Sequence, residues 1–204
     1  MADQKHWDRV YASKKADEVS WFQPQAEQSL RLIRATGLNE QAQILDVGGG
    51  ASVLVDDLIR HGYQNLTVLD LSPTALQVAR ERLGEQAQRV RWIEGDITKM
   101  QGPAKTYDIW HDRAVFHFLT EPKQREAYVD AVLHSVKKGG HVMVATFASD
   151  GPERCSGLPV MRYEAEGLHA DFGAHFELLH HEKDEHRTPG GRIQNFLYCY
   201  CRIH

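Results

Sequence analysis

An α/β fold built on a mostly parallel sheet is what this sequence predicts, with helices on both faces and an antiparallel hairpin at the C-terminal end. Three observations point to it. Short β-branched runs alternate with longer segments of helical spacing from residue 43 to residue 147, the signature of repeated strand–helix–strand units. The first of those runs ends in consecutive glycines, Gly48-Gly49-Gly50. The last third carries two β-like runs, 176–180 and 196–203, around Thr188-Pro189-Gly190-Gly191, a turn signal suited to a hairpin.

Taken in order, helical spacing over 26–36 places Leu30 and Ile33 on one face, and it follows an aromatic-rich stretch with Trp7, Tyr11, Trp21 and Phe22. The runs 43–47 (QILDV), 66–71 (LTVLDL), 90–94 (VRWIE), 107–111 (YDIWH) and 141–147 (HVMVATF) read as strands, and 52–61, 72–83 and 122–136 as the helices between them. Ser72-Pro73 opens the second of these helices, because a serine oxygen caps free amides and proline lacks the N–H that would go unpaired there. Gly139-Gly140 reads as a helix stop before the last of the five strands. Residues 148–159 read as a loop and 164–172 as a short helix. Residues 1–40 are expected to form a helical lid segment, and 41–204 the main domain.

Composition narrows the function classes. The 204 residues hold 24 Lys+Arg against 28 Asp+Glu, a formal net charge of −4. No concentrated basic surface is present to release counterions from nucleic acid or to hold an anionic membrane. The apolar stretches fall far short of the ~20 residues that span a bilayer, and the first residues are polar, so a soluble, cytoplasmic protein without nucleic-acid or membrane partners is expected. Three cysteines, Cys155, Cys199 and Cys201, argue against a disulfide framework in that compartment, where thiols are kept reduced.

The most informative segment is Asp46-Val47-Gly48-Gly49-Gly50. A strand that ends in glycines lets a ligand approach the backbone closely. Twenty residues after Gly50, Asp70 closes the next strand, where a carboxylate accepts both ribose hydroxyls of a nucleoside. A nicotinamide dinucleotide makes the same two demands. Its fingerprint, however, needs glycine where Val53 stands, and Asp46 suits a cationic or zwitterionic ligand better than two phosphates.

D-V-G-G-G followed by L-D-L resembles the class I S-adenosylmethionine-dependent methyltransferases. The resemblance implies a Rossmann-like seven-stranded methyltransferase sheet, S-adenosyl-L-methionine as cofactor and no metal. Glu94-Gly95-Asp96-Ile97 stands where that family contacts adenine, which implies that Asp96 accepts from the base's amino group, Ile97 meets a ring nitrogen through its backbone and Leu71 covers one face. Trp7-Asp8-Arg9-Val10-Tyr11 with Ser20-Trp21-Phe22-Gln23-Pro24 is similar to the start of the thiopurine, thiol and halide methyltransferases, where such a segment covers the cofactor. That likeness implies cofactor contacts from Trp21 and Gln23 as well as Asp46, Gly48, Gly49, Gly50 and Asp70. The same group commonly has G-P-P where this chain has Ser156-Gly157-Leu158-Pro159. Lysine methyltransferases acting on elongation factors share the W-D-x-x-Y start, and a D-K-G stretch aligned with Asp112-Arg113-Ala114.

Chemistry frames the acceptor. An ionised thiolate needs orientation and water exclusion, whereas an amine must first lose a proton to a nearby base. His111, Asp112 and His117 are the candidate bases, each with a purely structural alternative; the resemblance implies that Arg113 binds the methionine carboxylate or an anionic substrate, with a surface salt bridge as its structural alternative. His111, Asp112 and Arg113 are therefore the expected catalytic residues. A thiol-type small molecule is the first expectation for the methyl acceptor, and a protein lysine the alternative. Arsenite held by Cys155, Cys199 and Cys201, or a non-catalytic cofactor-binding module, are lesser readings. His180, His181 and His186 with Glu182, Asp184 and Glu185 match no standard metal spacing and read as a solvated polar loop.

Overall fold

The computed structural model describes residues 4–100 and 102–204; the first three residues of the expected 1–40 segment lie outside them. Strands β1 (Gln43–Val47), β2 (Asn65–Asp70), β3 (Val90–Glu94), β4 (Tyr107–Arg113) and β5 (Val136–Ala148) alternate with helices α3 (Leu54–Arg60), α4 (Pro73–Leu83) and α5 (Pro122–Ser135). Ahead of them come α1 (Gln4–Ser13) and α2 (Glu27–Ala35). After β5 the chain forms the small antiparallel pair β6 (Arg154–Cys155) and β7 (Leu158–Pro159), then β8 (Arg162–Tyr163), α6 (Ala165–Phe172), β9 (Phe176–Arg187) and β10 (Ile193–Ile203).

The sheet runs β3-β2-β1-β4-β5-β10-β9, with β8 added beside the end of β5. Its first five strands are mutually parallel, and β10 is antiparallel to both β5 and β9. This is the Rossmann-like sheet expected from the sequence, C-terminal hairpin included. Strand residues alternate between two buried layers, as a period of two requires. Leu45, Leu69, Trp110, Val142 and Cys199 pack on α5 and α6. Ile44, Val68, Ile109, Met143 and Tyr198 pack with Leu32 and Ile33 of α2 and Leu54 and Leu58 of α3.

Local chemistry sets the ends. Ser72 accepts from the Ala75 amide at the start of α4, as the Ser-Pro pair predicts. Helix α5 instead stops at Ser135, ahead of Gly139-Gly140. Val136 is fully buried and already pairs with Tyr107, and the register shifts before Ile109 meets His141. The glycines thus lie in an irregular strand entry, where Gly139 has φ +76°. The polar stretch 181–187 is also strand rather than loop: it extends β9 along the whole of β10, and His186 is buried with its Nε2 on the Ser20 carbonyl at 2.8 Å. Backbone pairing with a buried neighbour outweighs side-chain polarity there.

Candidate functional site

A cleft opens at the C-terminal ends of the parallel strands, where β1 and β4 lead into loops. Two adjoining chambers share Tyr11, Trp21, Gly48 and Arg113 in their walls. The larger holds about 730 Å³ of free space, its open mouth included, and is lined by Asp70, Leu71, Gly95, Asp96 and Ile97 on one side. Opposite these stand Trp7, Val115, Phe118 and Cys155. The smaller chamber is lined by Asp46, Gly49, His111 and Ser29 from the fold and Gln23 from the N-terminal segment.

The glycine loop is shaped by side chains around it as much as by space for a ligand. Gly48 has φ +69°, and a Cβ there would run into Val115 Cγ2. At Gly49 it would run into the Asp46 carboxylate, and at Gly50 into that of Asp70 and the Ala75 methyl. The Gly48 amide donates to the Leu69 carbonyl at 2.7 Å, tying the loop to β2. Gly50 lines neither chamber; its amide supports Asp70.

Asp70 ends β2 with 7% exposure. Burial raises its carboxyl to about 7, although the amides of Ser72, Gly50 and Leu71 donate to it. Such a carboxylate, partly desolvated and facing the cleft, gains from two hydroxyl donors what burial costs it. Asp96 is loaded differently. Burial works to raise it, but Thr98, through its hydroxyl and amide, and the Lys99 ammonium together hold it below the usual carboxylate range.

Asp46 and His111 lie side by side on paired β1 and β4. The His111 Nδ1 meets Asp46 Oδ1 at 2.7 Å and its Nε2 meets Ser29 Oγ at 2.8 Å. Both ring nitrogens are thereby occupied, while Asp46 Oδ2 is buried with no partner among the described residues. Arg113, one turn of strand further, stacks its guanidinium 4.3 Å above the Phe196 ring. Its Nε donates to Tyr198 Oη and its Nη1 to the Trp21 carbonyl, each at 3.0 Å. Its Nη2 is buried and unpartnered, and none of the ion pairs among the described residues includes it.

Asp112 stands apart from the cleft. It is wholly buried and accepts from Tyr128 Oη at 2.6 Å and from the Val115 and Phe116 amides at 2.8 and 3.0 Å. Burial raises its carboxyl to about 6 against those donors. The sequence expectation of a catalytic Asp112 gives way to a structural tie that holds the turn after β4. His117 is likewise wholly buried, its imidazole lowered to about 3 by desolvation and by Arg113, and it lines neither chamber. Cys199 and Cys201 pack toward α6 while Cys155 packs in the other layer. The three thiols therefore form no common site, and burial raises Cys155 to about 11 and the other two to about 12. Among the described residues, no group of three or more His, Cys, Asp or Glu is placed to hold a metal ion.

The N-terminal segment supplies the roof. Trp7 meets Phe118 edge-on at 5.1 Å and Trp21 at 5.9 Å, and Tyr11 meets Trp21 at 6.1 Å. Burial, with Asp70 nearby, raises the Tyr11 hydroxyl. Helix α2 belongs to the body of the fold, since Ser29, Leu32 and Ile33 are buried; within 4–40, the part over the cleft is the stretch before Ala26. Sequence reasoning missed Ser29, Tyr198 and Phe196. The signal for Ser29 was its place on the apolar face of α2 with Ala26 and Ile33, where a lone hydroxyl needs a partner.

Residues 44–140 match the family model of a methyltransferase domain. The chain is 26% identical over 160 residues to the zebrafish (Danio rerio) EEF1A lysine methyltransferase 2, covering 72% of this chain and 69% of that one. It is 33% identical over 116 residues to the ubiquinone biosynthesis O-methyltransferase of Serratia proteamaculans, covering 56% of this chain and spanning less than half (46%) of that protein. Among solved structures, it superimposes with a TM-score of 0.66 on the 1,6-didemethyltoxoflavin-N1-methyltransferase of Burkholderia thailandensis with bound S-adenosylhomocysteine, at 21% identity and covering 98% and 83% of the two chains.

Proposed function

We infer that this protein, an S-adenosylmethionine-dependent methyltransferase of class I, methylates a small, soft nucleophile that arrives already ionised, such as a thiolate. One observation carries the reading. Arg113 presents a buried Nη2 with no partner among the described residues, between the two chambers and beside Trp21 and Cys155. A desolvated guanidinium without a carboxylate favours an anion.

The residues present fit the cofactor. Asp70 in the wall of the larger chamber supports a contact with the ribose hydroxyls, and Leu71, Asp96 and Ile97 in the same wall support contacts with the base; Asp46 Oδ2, in a chamber also lined by Gly48, Gly49, Trp21 and Gln23, suits the methionine end with its ammonium. When bound, S-adenosylmethionine supplies an electrophilic methyl group on a sulfonium. The protein's own part is positioning. Arg113 draws the anionic acceptor to the junction of the chambers, and the rings of Trp7, Tyr11, Trp21 and Phe118 exclude the water that would weaken that attraction and solvate the nucleophile. The wall shared by Trp7, Val115, Phe118 and Cys155 offers no free carboxylate or imidazole as a base, and a thiolate needs none.

A protein lysine is the second reading, favoured by the likeness to the zebrafish lysine methyltransferase. Against it, an ammonium would face Arg113 and would need a base to become nucleophilic. Incubation with methyl-labelled S-adenosylmethionine and a panel of thiols, amines and cell lysate separates the two. Label on small thiols is the expected result; label confined to lysate protein overturns the thiol reading.

A further inference from the structure

We propose that Ser29 and His111 are positioning residues for cofactor capture, acting through Asp46 as a buried relay from α2 to the glycine loop. The proposal rests on the reading that the methionine end of the cofactor occupies the smaller chamber.

The chain of contacts is continuous. Ser29 Oγ, His111 Nε2, His111 Nδ1 and Asp46 Oδ1 are joined by bonds of 2.8 and 2.7 Å, and all three residues are at most 3% exposed. With Nδ1 paired to the carboxylate and Nε2 to the Ser29 hydroxyl, every polar atom along the chain is satisfied up to Asp46 Oδ1. Only Oδ2 is left, and it lies against the Cα of Gly49, where a Cβ would strike it. The glycine thus gives that oxygen its exit into the chamber. Pinning one carboxylate oxygen fixes the direction of the other, and a preorientated acceptor binds an ammonium without spending rotamer freedom.

The same chain joins two parts of the fold that the sequence keeps apart. Helix α2 follows directly on the roof, and the Ala26 amide at its start is anchored to Asp57 of α3 at 2.7 Å. Ser29 is the point at which that helix reaches across to β4. His111 is therefore removed from the reacting atoms: both of its nitrogens are committed, and its effect on the cofactor passes through Asp46.

The test uses two ligands measured by calorimetry on the full chain. S-adenosylhomocysteine carries the amino acid end; 5′-methylthioadenosine lacks it. Asp46→Asn is expected to weaken S-adenosylhomocysteine about tenfold or more and to leave 5′-methylthioadenosine unchanged, as loss of one charged hydrogen bond implies. His111→Leu should reproduce that selective loss, Ser29→Ala a smaller one, and His111→Asn, which keeps a donor near the Nδ1 position, should restore most of the affinity. The double variant Asp46→Asn with His111→Leu should bind no more weakly than Asp46→Asn alone. If His111→Leu weakens both ligands equally, or neither, or adds its effect to that of Asp46→Asn, the relay is overturned. If Asp46→Asn itself spares S-adenosylhomocysteine, the placement of the methionine end falls and takes the relay with it.

Discussion

Ser72 donates its hydroxyl to Asp8 Oδ1 at 2.5 Å and its amide to Asp70 Oδ1 at 2.8 Å. One residue at the cap of α4 therefore touches both the roof helix and the carboxylate assigned to the ribose. Helix α1 buries none of its own residues completely; it is held to the body by this bond, by the Gln4 side-chain amide on Glu94 at 2.9 Å and by Trp7 against Phe118.

A roof held that lightly should be ordered by ligand. Burial of an aromatic ring against bound cofactor is worth ~1.5–3 kcal/mol, enough to close such a segment. Hydrogen exchange of residues 12–23 is expected to slow on adding S-adenosylhomocysteine. Deleting residues 1–14, which keeps Val19, Ser20 and Trp21 in place, should cut turnover and leave the ligand-free melting temperature nearly unchanged; a large fall in melting temperature would instead show α1 to be a fixed part of the fold.

As the proposed ribose carboxylate, Asp70 would trade stability for binding. Its carboxyl is raised by burial from 3.8 to about 7, so between those values the folded protein holds a proton that the unfolded chain has lost. Stability from this group consequently declines as pH rises from 4 to 7 and stays reduced above 7. Asp70→Asn should therefore melt higher than the parent at pH 8 and close to it at pH 4, with each kcal/mol worth roughly 2–4 °C. Cofactor affinity should move the other way: in the parent it rises from pH 6 to pH 8 as the carboxylate forms, and in the variant it is weak and flat. Calorimetry at both pH values checks the pair of trends.

Arg113→Met removes the proposed anion receptor while keeping much of the stacking on Phe196. The kcat/KM for thiols should fall about 10–100-fold, the range for hydrogen bonds to a charged group, with a much smaller change in S-adenosylhomocysteine affinity. Arg113→Lys should recover little, because an ammonium cannot satisfy Tyr198, the Trp21 carbonyl and a ligand through one planar fork. Steady-state kinetics that show a selective loss of cofactor affinity would assign Arg113 to the cofactor's carboxylate instead.

Tyr128→Phe isolates the structural role of Asp112. The Tyr128 hydroxyl accepts from the Trp110 indole at 2.8 Å and donates to Asp112 Oδ2 at 2.6 Å, so the variant leaves the buried indole donor unpaired, at a cost of ~1–3 kcal/mol, and leaves that carboxylate oxygen with the Phe116 amide as its remaining donor. The melting temperature should drop by several degrees with cofactor affinity unchanged. A wild-type melting curve with lost turnover would return Asp112 to the chemistry.

The parallel half of the sheet was legible because its strands end in punctuation with a physical reason, such as Gly48 after Val47 and Ser72-Pro73 after β2. Asp46, two residues before Gly48, and Asp70, the last residue of β2, were legible as acids near strand ends, and both line the cleft. The fates of His111 and Asp112 were not. Adjacent residues of one strand face opposite layers, and only the partners supplied by Ser29 from α2 and Tyr128 from α5 decide what each does. Nor did polarity reveal the length of β9: His180, His181 and Glu182 read as loop chemistry until Tyr198, Cys199 and Tyr200 of β10 pair with them.

That long outer strand has a bearing on how these molecules meet one another. Among the described residues no strand lies beyond β9, and such a rim of backbone donors and acceptors is a template on which a second copy can stack. Here Lys183, Glu185 and Arg187 alternate along it as exposed charges, with His181 ahead of them. A copy arriving edge to edge would have to strip water from those charges before gaining a backbone bond. The residues that look least like a strand are thus what keeps this one from growing.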